Sequence, residues 1–313
     1  MQGLELCERF YREHGEPMLR QAFPEIEGLI AVGLVGSGSE CFGFDDEVSR
    51  DHDFEPGFCI FLPDEDLVDR KTAFALERAY AKLPREFMGV PRAPLDPVGG
   101  NRHGVIRMED FFRDKTGTPD GALSLRDWFS VDEQALAEAT NGRVFYDGLG
   151  AFSDIRRALS YFPSDVRLKK LAGHLLMMGQ AGQYNYPRSL ARGECAAAQL
   201  CAVEFVKHAI CVIFLINSRY MPYYKWTFRA LRDLPRLSDL HDSLEWLIST
   251  PCTEAEGLQK QKTIEEICER ITDTLQIDGL SRSVGNDCER HAYSVNDRIS
   301  DGEIRNLHIL FAV

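Results

Sequence analysis

GLVGSGSECFGFDDEVSRDHDFEPGFCIFLP, residues 33–63, places two apolar runs on either side of a polar loop that carries Asp51, His52 and Asp53. The run ahead of the loop belongs to LIAVGLVG (29–36), a β-rich stretch closing on glycine, and GFCIFLP (57–63) reads as a second strand. In extended backbone the side chains alternate, so Asp51 and Asp53 share one face and His52 takes the other. Two neighbouring carboxylates raise each other's pKa unless a cation sits between them. Magnesium suits such a pair, because it prefers hard oxygen ligands and completes its shell with substrate phosphates; manganese is the alternative. The Gly36-Ser37 turn fits the same chemistry, since glycine lets backbone approach a phosphate while amides and the Ser37 hydroxyl donate.

Outward from this stretch, apolar residues recur at helical spacing from Leu4 to Phe23 and stop at Pro24. After the second strand, residues 64–83 have the acidic start and basic end of a helix. HGVIRMEDF (103–111) reads as a third strand beyond the Pro/Gly-rich segment 90–101, and RVFYD (143–147) as a fourth. From Ala151 the pattern is helical, broken by Pro163, Pro187, Pro222, Pro235 and Pro251. The expected fold class is therefore α+β: a small mixed sheet with helices over 1–150, then an all-α helical bundle over 151–313, joined at the glycines of DGLGAF (147–152).

A glycine-serine turn followed after a loop by Asp-x-Asp ahead of a strand resembles the signature of the DNA-polymerase-beta-like nucleotidyltransferase superfamily, and residues 38–50 form a loop of a length that superfamily accommodates. Within it, the stretches GSGSECFGFDDEVSRDHDF, GQYNYPR (182–188) and YMPYYKWTF (220–228) are similar to a family of stand-alone bacterial proteins, over roughly residues 28 to 230. The resemblance implies an N-terminal nucleotidyltransferase domain with a helical C-terminal domain, and no settled substrate. It also implies a third carboxylate on a nearby strand, for which HGVIRMEDF offers Glu109, on the strand face of Val105 and Arg107. A register error of one residue would exchange Glu109 with Asp110. The expected metal ligands are thus Asp51, Asp53 and Glu109; Gly36, Ser37 and Lys225, the last from the Lys-Trp pair, are expected to meet the triphosphate.

With 49 acidic against 36 basic residues the net charge is −13, which opposes general attraction to nucleic acid or anionic membranes and favours a small-molecule acceptor. A nucleic-acid acceptor would need a local basic groove, for which Arg188, Arg192 and Arg219 are the candidates. The nine cysteines form no CxxC pair and read as reduced core residues. The N-terminus lacks the apolar stretch of a secretory signal, and Glu204, Lys207 and His208 interrupt the most apolar segment, 196–217, so a cytoplasmic protein without a membrane span is expected.

GLVGSGSECFG lacks the third spaced glycine of a dinucleotide fingerprint and the Gly-Lys-Ser/Thr ending of a P-loop. The His52-Asp53 pair of a metal phosphohydrolase would sit on a helix with further histidines, whereas this pair leads toward a strand. Asp45, Asp46 and Glu47 read as a solvated acidic cluster outside the site. Gln180, Gln183, Tyr184, Asn185 and Arg188 admit two readings, a binding surface or a hydrogen-bonded helix end. His174, His208, His241, His291 and His308 lack ligand spacing and read as structural or surface residues. The resulting expectation is an enzyme moving a nucleoside monophosphate from a nucleoside triphosphate to an acceptor hydroxyl with release of pyrophosphate. An inactive nucleotide-sensing or antitoxin-like protein of the same fold is the alternative.

Overall fold

The computed structural model describes residues 2–48, 54–94 and 102–313, which fall into two compact units, Met1–Ser160 and Tyr161–Val313. The first unit is mixed α+β. Helix α1 (Gly3–Phe10) runs through a wide π-helical turn (Tyr11–Gly15) into α2 (Glu16–Ala22), burying Leu6, Cys7, Phe10 and Leu19. Then come β1 (Ala31–Leu34), the short α3 (Ser39–Phe42), β2 (Cys59–Leu62) and α4 (Arg70–Ala81). The hairpin strands β3 (Glu86–Phe87) and β4 (Val90–Pro91) precede β5 (Gly104–Arg107), α5 (Met108–Thr116), α6 (Asp127–Ser130) and α7 (Glu133–Thr140). Strand β6 (Arg143–Asp147) and helix α8 (Ala151–Ala158) complete the unit.

Among the described residues the main sheet has the order β5-β2-β1-β6. Strand β1 is antiparallel to β2 and β6, while β2 and β5 are parallel. Strands β1 and β2 are buried along their whole length, as strands covered on both faces must be. Period-two alternation assigns their side chains. Ile60 and Leu62 join Phe10, Tyr11, Leu76 and Tyr80 in one cluster, whereas Phe61 stacks on Phe152 at 4.1 Å and meets Phe111 at 5.2 Å. Each of these aromatics stabilises the fold by about 2–3 kcal/mol through burial. Because α8 supplies Phe152 to the sheet, the first unit runs on to Ser160. Gly33 marks a bulge between β1 and β6, where an added methyl would come within 2.6 Å of the Arg143 carbonyl oxygen.

One expected strand is shorter than the sequence suggests. β5 stops at Arg107, opposite the last residue of β2, and Met108 begins a helix that buries Met108, Phe111, Phe112 and Thr116. Glu109 therefore lies in the first turn of a helix and not on a strand. The apolar i, i+3, i+4 spacing of Met108, Phe111 and Phe112 and the C-terminal Gly117 (φ 81°) override the short period-two run that Val105, Arg107 and Glu109 suggested.

The second unit is helical, with no strand among the described residues: α9 (Ser164–Met178), a π-helical turn (Gly179–Asn185), α10 (Tyr186–Ala191), α11 (Cys195–Ile216), α12 (Tyr224–Arg232), α13 (His241–Ser249), α14 (Glu254–Ile277), α15 (Cys288–Asn296) and α16 (Gly302–Asn306). Helix α11 is long and apolar enough to cross a membrane, yet 61% of its most apolar window is buried in this unit, where it packs against α9, α10, α13 and α14. It is a core helix by position. Two fully buried lysines lie in the same unit. Lys169 donates to Asn296 Oδ1 and to the carbonyls of Arg305 and Leu307, and Lys260 to Gln199 Oε1 and the carbonyls of Leu247 and Thr250. Burial lowers both pKa values, and the ring of carbonyl oxygens is what keeps such groups tolerable inside a core.

Candidate functional site

The chain leaves β1 at Leu34 and turns at Gly36, whose φ of 105° only glycine adopts without strain. Asn141, just after α7, holds this turn at two points. Its Oδ1 accepts from the Gly36 N–H at 2.9 Å and its Nδ2 donates to the Gly36 carbonyl at 2.8 Å. Asn141 is itself fixed from behind, because the buried Arg156 guanidinium donates to the carbonyls of Thr140 (2.8 Å) and Asn141. Burial pulls the Arg156 pKa down to about 10, so it remains cationic at neutral pH. The neighbouring Gly142 N–H donates to the Cys41 carbonyl at 2.8 Å, and its missing side chain is what allows the chain to pass over Leu34.

Past Gly36 the turn opens. Ser37 is exposed, and among the described residues the N–H groups of Ser37 and Gly38 have no acceptor. The Ser37 carbonyl accepts from Arg102 Nη2 at 2.9 Å, and the same guanidinium pairs with Glu40, whose side chain is 10% exposed. Gly38 (φ 128°) lies directly against that guanidinium, where any Cβ would overlap it, while the Cβ direction of Gly36 meets no atom within 4 Å. The Gly36 amide is thus committed to Asn141, and the unsatisfied donors are Ser37 N–H, Gly38 N–H and the Ser37 hydroxyl. A concave turn with several outward N–H groups binds anions.

Asp51, His52 and Asp53 lie outside the described residues. The chain immediately after them is anchored: Phe54 packs against the core, and Glu55 accepts from the Ala93 N–H at 2.6 Å and faces His103 Nδ1 at 3.3 Å. Burial opposes ionisation of Glu55, but these two partners hold its carboxyl below the usual range. Glu109 is half exposed and pairs with Arg113 at 3.6 Å within its own helix. Asp45 is not a solvated loop residue, since its Oδ2 accepts from the Gly3 N–H at 2.7 Å at the start of α1, where free backbone donors and the helix dipole favour a carboxylate. Among the described residues no three His, Cys, Asp or Glu side chains are grouped to hold a metal.

In the second unit Lys225 is exposed in the first turn of α12, with Nζ 5.1 Å from the Trp226 ring centroid. Gln183 is a structural hub: its Nε2 donates to Glu265 Oε2 and the Asn286 carbonyl, and its Oε1 accepts from the Cys288 N–H, all at 2.9 Å. Of the two readings for 180–188, the hydrogen-bonded helix end describes Gln183. Arg188 stacks over Tyr184 at 4.2 Å and donates to its hydroxyl. His174 and His208, on separate helices, meet through their Nδ1 atoms at 2.9 Å, with Glu204 on the far nitrogen of His208 at 3.1 Å. One ring must donate and the other accept. Burial first, then His208 and Lys170, push His174 down to about 3, and burial also lowers His208 despite Glu204.

Residues 128–227 match the family model described as "Domain of unknown function (DUF4037)". The matched span contains Asn141, the 182–188 stretch and Lys225. No curated protein matches the chain. Among solved structures, the crystal structure of a nucleotidyltransferase-like protein from Exiguobacterium sibiricum 255-15 is similar over 85% of this chain and 77% of its own, with a TM-score of 0.38 and 12% identity.

Sequence reasoning found the turn and missed what holds it. Asn141, Arg156 and Arg102 are distant in sequence from Gly36, and Glu40, though only four residues on, acts through Arg102; none belongs to a recognisable spacing. The one local signal was Asn141-Gly142 between a helical pattern and RVFYD, a turn dipeptide whose side-chain amide is free to bond backbone.

Proposed function

We propose that the Met1–Ser160 unit transfers a nucleoside monophosphate from a nucleoside triphosphate to an acceptor hydroxyl and releases pyrophosphate. The observation that carries this reading is the clamped turn at Gly36, rigid behind and donor-rich in front, in a chain whose Asp-x-Asp follows it at loop distance. Ser37 N–H, Gly38 N–H and the Ser37 hydroxyl bind the distal phosphate oxygens, and Asn141 keeps those donors convergent so that no reorganisation accompanies the reaction. Carboxylate oxygens are the donor type magnesium prefers; Asp51 and Asp53 would hold it, and it would supply neutralisation of the triphosphate and a lowered pKa at the attacking hydroxyl. The acceptor oxygen bonds to the α-phosphorus, the bond to the bridging oxygen breaks, and pyrophosphate leaves with its electron pair. The hydroxyl proton passes to a carboxylate. The net charge of −13 favours a neutral or cationic small acceptor over nucleic acid.

Incubation with magnesium, each α-labelled nucleoside triphosphate and a cell extract tests the reading: a labelled small product is expected, lost in Asp51→Asn and Asp53→Asn. Retained labelling in both variants overturns it. A nucleotide-sensing role is the second reading, and the place of Glu109 in the first turn of α5 favours it, because the strand β5 then lacks the expected third carboxylate. Tight nucleotide binding without turnover in any extract would decide for the sensor. Under the transferase reading with Glu109 as third ligand, Glu109→Gln lowers turnover about a hundredfold; unchanged turnover moves that role to another carboxylate.

A further inference from the structure

A groove of about 750 Å³ opens on the second unit between α15 and the loop before it. Its walls carry three guanidinium groups, Arg282, Arg290 and Arg298, and three hydroxyls, Ser283, Ser294 and Tyr293, against a single carboxylate, Asp297. In a chain of net charge −13 this concentration of positive charge is unusual. Some exposed arginines elsewhere are held by acids, as Arg9 is by Glu5, Arg70 by Glu65 and Arg157 by Asp154, while Arg85, Arg126 and Arg192 stand singly among the described residues; here three guanidinium groups share one groove. Among the described residues, the side chains of Arg282 and Arg298 make no hydrogen bond or ion pair. Arg290 uses only Nε, at 3.2 Å from Asp287, an exposed pair of little energetic weight that leaves both terminal nitrogens to donate.

The hydroxyls are placed to add donors. Ser294 Oγ already accepts from the Arg282 N–H at 2.8 Å, so its proton points elsewhere, and the same bond fixes the loop bearing Arg282 against α15. Arg290, Tyr293, Ser294 and Asp297 recur at i, i+3, i+4 and i+7, one helix face over about 10 Å of axis. That length exceeds a single phosphate. Tyr293 also forms part of an adjoining cavity of about 640 Å³ lined by Gln180, Asn286 and the carboxylates Asp287 and Glu289, so the cationic end gives way to a polar, acidic one that suits the uncharged part of a ligand and not its phosphates.

We infer that this groove is a binding site for a small polyphosphate-bearing ligand, with the guanidinium groups on the phosphate oxygens and any organic portion beyond Tyr293. Guanidinium forks match phosphate geometry and donate charge-assisted, bidentate hydrogen bonds to it. The site is built entirely from the second unit and needs neither magnesium nor the Gly36 turn, so it goes beyond the transferase reading.

The test uses the full-length protein in excess EDTA, titrated calorimetrically with inorganic triphosphate, ATP and adenosine. Triphosphate and ATP are expected to bind, and adenosine alone to bind far more weakly. Arg282→Ala with Arg298→Ala should weaken triphosphate at least about tenfold, as loss of charge-assisted donors requires, while Arg70→Ala, which removes an exposed arginine of the first unit, leaves it unchanged. Tighter binding of ATP than of triphosphate assigns the nucleoside to the adjoining cavity; equal binding assigns the phosphate chain alone, and either supports the site. Arg298→Glu, an exposed single change, gives the same readout if the double variant misfolds. No binding at millimolar triphosphate, or affinity unchanged in the arginine variants, overturns the proposal. Tighter binding of a single-stranded RNA oligomer through the same arginines overturns the small-ligand assignment. Loss of transfer activity in the Asp51 variant has no bearing on this result, so the two readings fail separately.

Discussion

Two glycine-rich polar stretches in this protein look alike as sequence and behave oppositely as structure. GSGSE (36–40) in the first unit fixes its backbone with one amide and leaves the next two N–H groups and a hydroxyl facing outward. GQAGQYN (179–185) in the second unit forms a π-helical turn whose Gln183 is bonded on both oxygen and nitrogen, and whose Gly182 lets the helix lie against Phe205 and Ile264. The difference lies in which atoms remain unsatisfied. A polar side chain bonded on every side, as Gln183 is, is architecture, and donors presented in a fixed geometry without partners make a site.

The widest gap between the two stretches should appear in turnover. Asp51→Asn or Asp53→Asn is expected to lower nucleotidyl transfer by about a thousandfold or more while the melting temperature stays within 1–2 °C, approximately, in a thermal scan. A large loss of stability instead would make the carboxylates architectural and erase the contrast. In the second unit the reverse holds. Gln183→Ala and Lys260→Ala each strand buried partners, and urea titration should show about 2–4 kcal/mol of destabilisation for either, with nucleotide binding at the first unit intact.

Acid should act through the second unit before the first. His174 has a folded pKa of about 3, below its unfolded value near 6.5, so the unfolded state takes up protons first as pH falls. Stability from this group is complete above pH 6.5 and declines below it, by on the order of 2 kcal/mol at pH 5, levelling only near pH 3. Denaturant titrations at pH 7 and pH 5 should show that loss in the wild type and a smaller one in His174→Gln. Asn141→Ala sharpens the comparison further: about 1–2 kcal/mol of stability from two lost hydrogen bonds, with KM for the triphosphate raised about tenfold. Ser37→Ala should be the mildest change to the fold, under about 0.5 kcal/mol, yet raise the same KM severalfold, because its side chain has no internal partner. Equal effects of Ser37→Ala on stability and on KM would dissolve the distinction.

The periodic features were legible because local chemistry dictates them. Strands at 31–34, 59–62 and 143–147 follow from short β-rich runs bounded by glycine, proline and polar residues, and the helical second half follows from apolar residues at 3.6 spacing between prolines. Glu109 was misplaced because four residues of real alternation, 104–107, run directly into a helix, and the decisive apolar pairs lie further along the chain. His174 and His208 read as unrelated for the same kind of reason: two helices bring together residues that no spacing connects.

What the sequence determined by itself is therefore the part set by neighbours along the chain: the element types, the mixed sheet ahead of a helical half, the glycine turn and the carboxylates one residue apart. What only tertiary structure decided is which polar groups find partners. Gly36 is clamped by Asn141, Asn141 is braced by Arg156, Lys169 and Lys260 are satisfied by carbonyls, and Arg282 and Arg298 are satisfied by nothing among the described residues. Hydrogen bonding acts over about 3 Å in space regardless of separation along the chain, so it becomes readable only once the chain has closed on itself.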